Sequence, residues 1–121
     1  MVRKVKFLGV CVRDQENALL FYTEKLGFRL KTDQPMGHQR WIELEIPGAE
    51  SGLVLFTPQG QKDRIGTFVN TSLECDNLEA TYQELRDLGV EFARPPEEQP
   101  WGRFAIFKDP DGNSFVLAES K

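Results

Sequence analysis

The stretch FKDPDGNSFVL, Phe107 to Leu117, decides how this chain folds. It reads as a strand, a tight turn and a second strand. Pro110 presets φ at the second position of a turn, and Gly112 and Asn113 tolerate left-handed backbone. The flanking runs RFAIF and SFVLAE carry apolar side chains on both faces. That predicts a hairpin covered on two sides within a sheet. The rest of the chain has to supply the cover, as core, metal site or ligand.

Upstream of this hairpin, Arg94 to Gly102 (RPPEEQPWG) reads as a loop and Val90 to Ala93 as a short strand. Before them Asp76 reads as a helix N-cap, with Glu79 completing a capping-box-like pair. Leu78, Tyr82, Leu85 and Leu88 form the apolar helical face, and Gly89 ends it at the left-handed C′ position. Thr67 to Cys75 is the strand that leads in. The polar segment Pro58 to Gly66 reads as a linker.

The same order appears once more before the linker. Lys4 to Arg13 reads as a strand in which Gly9 allows close approach of another group. Asp14 caps a helix with Ala18, Leu19, Tyr22 and Leu26 on one face, and Gly27 ends it. Phe28 to Thr32 is a short strand, DQPMGH a loop, and RWIELEIP a strand that alternates. Ile42, Leu44 and Ile46 face one way; Trp41, Glu43 and Glu45 face the other. Gly52 to Thr57 is the last strand. Asp14 and Asp76 stand 62 residues apart, as do Ala18 and Ala80, Leu26 and Leu88, and Gly27 and Gly89. The repeated punctuation implies a duplicated βαβββ unit. The expected fold is α+β, a single domain over residues 1–121, with module one at about 4–57, the linker at 58–66 and module two at about 67–119. Its helices lie outside a curved mixed sheet that surrounds a cavity.

A chain of 121 residues buries roughly two-thirds of its unfolded surface, so its core needs no disulfide or metal. The net charge is −4 and the basic residues are scattered, which leaves no electrostatic footprint for nucleic acid. No apolar run reaches membrane-spanning length and MVRKVKF leads straight into a strand pattern. A cytoplasmic protein with no membrane association is the expectation. Cys11 and Cys75 sit in strand-like runs and read as buried free thiols rather than a pair. The absence of CxxC excludes zinc-ribbon and thioredoxin readings.

Four stretches carry a family resemblance: Val10 to Phe28, with VCVRD and ALLFYTEKLGF; Leu73 to Phe92, LECDNLEATYQELRDLGVEF; PWG at Pro100 to Gly102; and DPDGNSFVL. The sequence resembles the vicinal oxygen chelate superfamily, which includes glyoxalase I, bleomycin-resistance proteins and extradiol dioxygenases. The resemblance covers nearly the whole chain. It implies paired βαβββ modules, a U-shaped cavity and a homodimer. Many members hold a divalent metal there through His and Glu from the first and last strands of each module. The matching positions here are Phe7, Leu55, Asn70 and Val116. Only Asn70 offers a donor atom, and a poor one. Shifting by one residue brings in Lys6, Leu8, Val54, Phe56, Val69, Thr71, Phe115 or Leu117, which restores nothing. No metal and no cofactor are expected. The single histidine, His38, lies in the DQPMGH loop and reads as solvated.

Alternation places Phe7, Gly9 and Cys11 on the former ligand face, with Leu53 and Leu55, Asn70, Ser72 and Glu74, and Ser114 and Val116. Trp41, Glu43, Trp101 and Arg103 extend it. The candidate ligand-binding set is therefore Phe7, Cys11, Trp41, Glu43, Leu55, Asn70, Ser72, Glu74, Trp101, Arg103 and Val116. Each has a plainer reading. Phe7, Leu55 and Val116 fill the space as core; Glu43 and Glu74 are solvated; Trp101 is a lid or a dimer contact. No nucleophile–base pair stands out, so no catalytic residue is assigned. The favoured function is metal-free binding of a small amphipathic or aromatic molecule, as in the bleomycin-resistance branch. One alternative is a glyoxalase-like or dioxygenase-like metalloenzyme using His38, Glu43 and Glu74. The other is a non-catalytic dimerising module with a filled cavity.

Overall fold

The computed structural model describes residues 1–69 and 71–119. The chain forms an α+β fold of two compact units, Met1–Gly66 and Thr67–Lys121. Each is a βαβββ module with its own four-stranded mixed sheet.

In the first unit, β1 (Phe7–Cys11) leads to α1 (Gln15–Leu20), a π-helical turn (Phe21–Lys25), β2 (Arg29–Met36), β3 (Gln39–Glu45) and β4 (Gly52–Phe56). The sheet order is β1-β4-β3-β2. β1 pairs in parallel with β4, so Phe7 lies beside Gly52 and Cys11 beside Phe56; the other pairs are antiparallel. The second unit repeats this with β5 (Thr71–Cys75), α2 (Leu78–Asp87), β6 (Glu91–Gln99), β7 (Gly102–Lys108) and β8 (Ser114–Glu119), in the order β5-β8-β7-β6. A short 3₁₀ turn, Lys62–Arg64, precedes the second unit.

One face of each sheet is buried with its helix. Val10, Ile42, Leu44, Leu53 and Leu55 are fully buried in the first unit with Ala18 and Tyr22. Each such aliphatic side chain contributes about 1.5–3 kcal/mol relative to exposure. In the second unit Leu78, Ala105, Phe107 and Phe115 are buried almost completely and Leu85 and Leu117 nearly so, with Phe107 and Phe115 stacked at 5.4 Å. The β7–β8 hairpin is thus fully buried on one face only. Val116, Ile106 and Phe104 on its other face are half-buried.

Several boundaries differ from the sequence reading. β1 is shorter than Lys4–Arg13, and β5 starts at Thr71 rather than Thr67. β2 runs through Asp33, Gln34 and Pro35 to Met36, where a loop was expected. β6 likewise continues through Pro95 and Pro96 to Gln99. Both are edge strands, where a proline's missing N–H costs no ladder bond. β6 absorbs its prolines with register shifts between Phe92 and Arg94 and between Arg94 and Glu97.

The helix start differs from the sequence expectation in one half. Asp14 caps α1, its Oδ1 accepting from the Asn17 N–H at 3.1 Å. The cap of α2 is Asn77, not Asp76; its Oδ1 accepts from the Ala80 N–H at 3.0 Å. Glu79 therefore stands two residues after the cap rather than three and closes no capping box; its carboxylate accepts from Arg103. Glu119 on β8 accepts from the Leu78 N–H instead, at 3.0 Å. With Asn77 as the cap, Asp14 to Gly27 is one position longer than Asn77 to Gly89. The π-helical turn holds that extra residue: Leu26 N–H reaches back to the Phe21 carbonyl at 3.3 Å. Both helices then end on a glycine with positive φ, +77° at Gly27 and +91° at Gly89.

The DPDGN turn is a buried polar clasp. Asp109 Oδ1 accepts from the N–H groups of Asp111 and Asn113, both at 2.9 Å, and Asp109 Oδ2 accepts from Asn113 Nδ2 at 2.9 Å. Asn113, with no exposed surface, also accepts from the Phe68 N–H at 3.1 Å. The Ser114 N–H donates to the Phe68 carbonyl at 2.8 Å. The hairpin is therefore tied to the residues that lead into β5.

Candidate functional site

The face of the first sheet opposite α1 is open in part: Gly9 is exposed there, while Val54 and Cys11 are buried. Phe7 meets Trp41 of β3 edge-to-face, with centroids 5.6 Å apart. Two residues on, Gly9 presents no side chain, and the Phe56 ring of β4 lies over it. These contacts fix the parity of β1, β3 and β4. Phe7 and Gly9, Val54 and Phe56, and Trp41 share the open face. With Met36 and Gln39 they line an apolar groove of about 210 Å³.

Gln39 is the polar member of the groove lining. Its side-chain amide donates to the Thr57 carbonyl and accepts from the Thr57 N–H, both at 2.9 Å. Glu43 follows Trp41 on the same face, opposite Val54, with its side chain 13% exposed and Lys31 Nζ 3.4 Å from its carboxylate. Cys11 is buried; burial pushes its thiol pKa up, against an opposing pull from Arg64.

Leu55 does not join this group. Alternation turns it, with Leu53, to the helix-side core, and Gln15 of α1 donates to its backbone carbonyl at 2.9 Å. The sequence reading placed it beside Phe7 because every residue of GLVLF is apolar and none betrays the strand's parity. The same ambiguity hid Val54 and Phe56. Met36 was missed because DQPMGH read as loop, and Gln39 because it fell between that loop and the strand RWIELEIP.

The second unit has its own cleft on the corresponding face, about 300 Å³, bordered by Ser72, Trp101, Phe104, Val116 and Ala118 among others. Trp101 is 68% exposed and stacks at 6.4 Å on Phe104. Arg103 also borders the cleft, but its guanidinium donates to Glu79 of α2 at 2.6 Å, and that bond raises its pKa. Glu74 is exposed on β5. Asn70 lies outside the described residues.

His38 sits exposed at the β2–β3 turn, beside a polar depression with Arg13, Asp14, Gln39, Thr57 and Gln59. Among the described residues no three His, Cys, Asp or Glu side chains gather as a metal site. His38 and Glu43 belong to the first unit and Glu74 to the second. Phe7, Leu55 and Val116 carry no donor atom. A larger depression of about 440 Å³ is bordered by both Lys4, Lys6 and Lys31 and Glu43, Glu45 and Glu50. No helix among the described residues is long and apolar enough to cross a membrane.

Residues 4–117 match the family described as the Glyoxalase/Bleomycin resistance protein/Dioxygenase superfamily. The uncharacterized protein YetH of Bacillus subtilis (strain 168) is 38% identical over 120 residues, covering 98% of this chain and 100% of YetH. The crystal structure of TnmS3, an antibiotic binding protein from Streptomyces sp. CB03234, is 37% identical, with a TM-score of 0.90 over 99% of this chain and 98% of that one. A structure of a superfamily member from Sphaerobacter thermophilus DSM 20745 is 36% identical, with a TM-score of 0.89 over 98% of each chain.

Proposed function

Since the chain belongs to the Glyoxalase/Bleomycin resistance protein/Dioxygenase superfamily, we propose that it sequesters a small, flat, mainly apolar molecule on the open face of its first sheet. The observation that carries this is the groove of Phe7, Gly9, Met36, Trp41, Val54 and Phe56. An apolar floor with aromatic walls and one fixed amide in its lining is what a binding site for a ring system requires. Its volume of about 210 Å³ is below the about 300–1,000 Å³ of most ligand pockets, so it receives part of a ligand rather than engulfing one. The likeness to TnmS3, an antibiotic binding protein, supports an antibiotic-like ligand with a planar aromatic part.

The residues assigned to binding are Phe7, Trp41 and Glu43, with Cys11 at the edge. Ser72, Trp101 and Val116 offer a comparable surface on the second unit. Homodimerisation in the cytoplasm accompanies this reading. The superfamily's metal chemistry is not part of it, because Phe7, Leu55 and Val116 cannot ligate.

The test is calorimetry with a panel of planar aromatic antibiotics, aromatic metabolites and shape-mismatched aliphatic controls. Planar compounds should bind and quench Trp41 fluorescence in a Trp101→Phe background. Trp41→Ala should weaken binding about tenfold, since an aromatic contact contributes about 0.5–1.5 kcal/mol beyond its area. Failure of every planar compound to bind refutes the proposal. Near-stoichiometric metal in protein purified without chelator, accompanied by turnover, would favour the metalloenzyme instead.

A further inference from the structure

We propose that Gly9 and Phe56 together set the depth of the groove and thereby restrict it to flat ligands. This rests on the reading of the groove as a binding site, and it assigns the residues that decide what shape enters.

A Cβ built on Gly9 would lie 3.0 Å from Phe56 Cε1, then 3.8 Å from Cδ1 and 3.9 Å from Cζ. The approach is centred on one ring atom, tighter than ordinary van der Waals contact of about 3.5–4.0 Å between carbons. One edge atom of the ring thus stands in the way of a side chain at position 9, although Gly9 is exposed to solvent beyond it. The Phe56 backbone has no freedom to retreat. The Val12 N–H donates to the Phe56 carbonyl at 2.9 Å, and the Thr57 hydroxyl donates to the Val12 carbonyl at 2.9 Å. Gln39 holds both backbone groups of Thr57. β4 is also central in its sheet, bonded to β1 and β3. A methyl group at position 9 therefore moves the ring and not the strand. Both residues line the groove, so the displaced ring takes up groove volume. The exposed Arg64 guanidinium lies 6.0 Å from the ring centroid, on the border of cation–π range.

With glycine at position 9 the ring lies low and the floor admits a flat molecule. Shrinking residue 56 opens a pit over Gly9 that admits a globular one. Gly9 is thus kept small by the ring above it, and the ring is the floor that a ligand meets.

Two probes of equal charge and different shape separate these effects: 9-aminoacridine, which is flat, and 1-aminoadamantane, which is globular. By calorimetry the wild type should bind the flat probe and discriminate against the globular one. Gly9→Ala should lose at least fivefold in affinity for 9-aminoacridine. Phe56→Leu should gain at least fivefold for 1-aminoadamantane. A ligand-free crystal structure of Gly9→Ala should show the Phe56 ring displaced from β1, which also establishes that the variant folds. If the wild type binds 9-aminoacridine and Gly9→Ala binds it equally well, the depth assignment is overturned and the binding reading survives. An unmoved ring in that variant overturns the assignment as well. If the wild type binds no planar compound of the panel or this probe, both fall together.

Discussion

Asn113 has a larger structural share than its place in a turn suggests. Its side chain bonds both Asp109 and the Phe68 N–H, and it has no exposed surface. Asn113→Ala withdraws a bond from buried Asp109 and from the half-buried Phe68 N–H at once, and should cost about 2 kcal/mol. Urea denaturation would show it as a lower midpoint at unchanged slope. Asp33 works differently. Arg40 clasps its carboxylate through Nε at 3.0 Å and Nη2 at 2.6 Å, while Nη1 reaches Glu16 of α1 at 2.8 Å. The bond from Arg40 holds the Asp33 carboxyl below its ordinary range. A depressed folded-state pKa stabilises the fold above the unfolded value of about 3.9, and that contribution is lost as pH falls through the folded value. The stability gap between wild type and Asp33→Asn should be at most about 1 kcal/mol at pH 7, because these side chains are about a third exposed. It should shrink as pH drops below about 4, which paired urea titrations at several pH values would record.

Among the elements, the π-helical turn separates the two otherwise matching halves. It spans Phe21–Lys25, where Phe21 and Tyr22 are both buried. Glu24 is exposed there. Deleting Glu24 should convert the turn to regular α-helix of the length found in the second unit, with near-native melting temperature. Deleting Glu84 from α2 should instead rotate Leu85 out of the core and cost several kcal/mol, about the 2–5 kcal/mol of a large core truncation. Thermal melts of the two deletions would separate these outcomes. The sequence carried the duplicated order of elements because caps, terminal glycines and alternating strands are local signals. It concealed the extra residue because Asp76 is as good a cap as Asn77. With Asp76 as the cap the halves have equal length and nothing marks the turn. Proline misled in the same local way: Pro35, Pro95 and Pro96 look like breakers until their strands are known to be edges.

Over the whole molecule, the 58–66 segment carries a 3₁₀ turn and a Gly60 turn between two self-contained sheets. Doubling that connection with Gly and Ser after Gly60 should cost only about 0.6 kcal/mol by loop-closure entropy. Denaturation midpoints of the insertion series would test this. At this scale the candidate site was half legible. Phe7 and Trp41 followed from alternation against polar neighbours. Val54 and Phe56 did not, since parity in an all-apolar strand is set by pairing with β1, some forty-five residues away in the chain. That pairing also orders the events of biosynthesis. The first sheet has all its strands once Phe56 has been made. The second sheet lacks an interior strand until β8 has been made, because β8 lies between β5 and β7. A nascent chain should therefore exert folding force on the ribosome in two separated steps. The first comes when residues up to about Gly66 have emerged, and the second only after Glu119. Arrest-peptide profiles would show the first step surviving every truncation within the second unit, while that unit waits, unpaired, for its last strand.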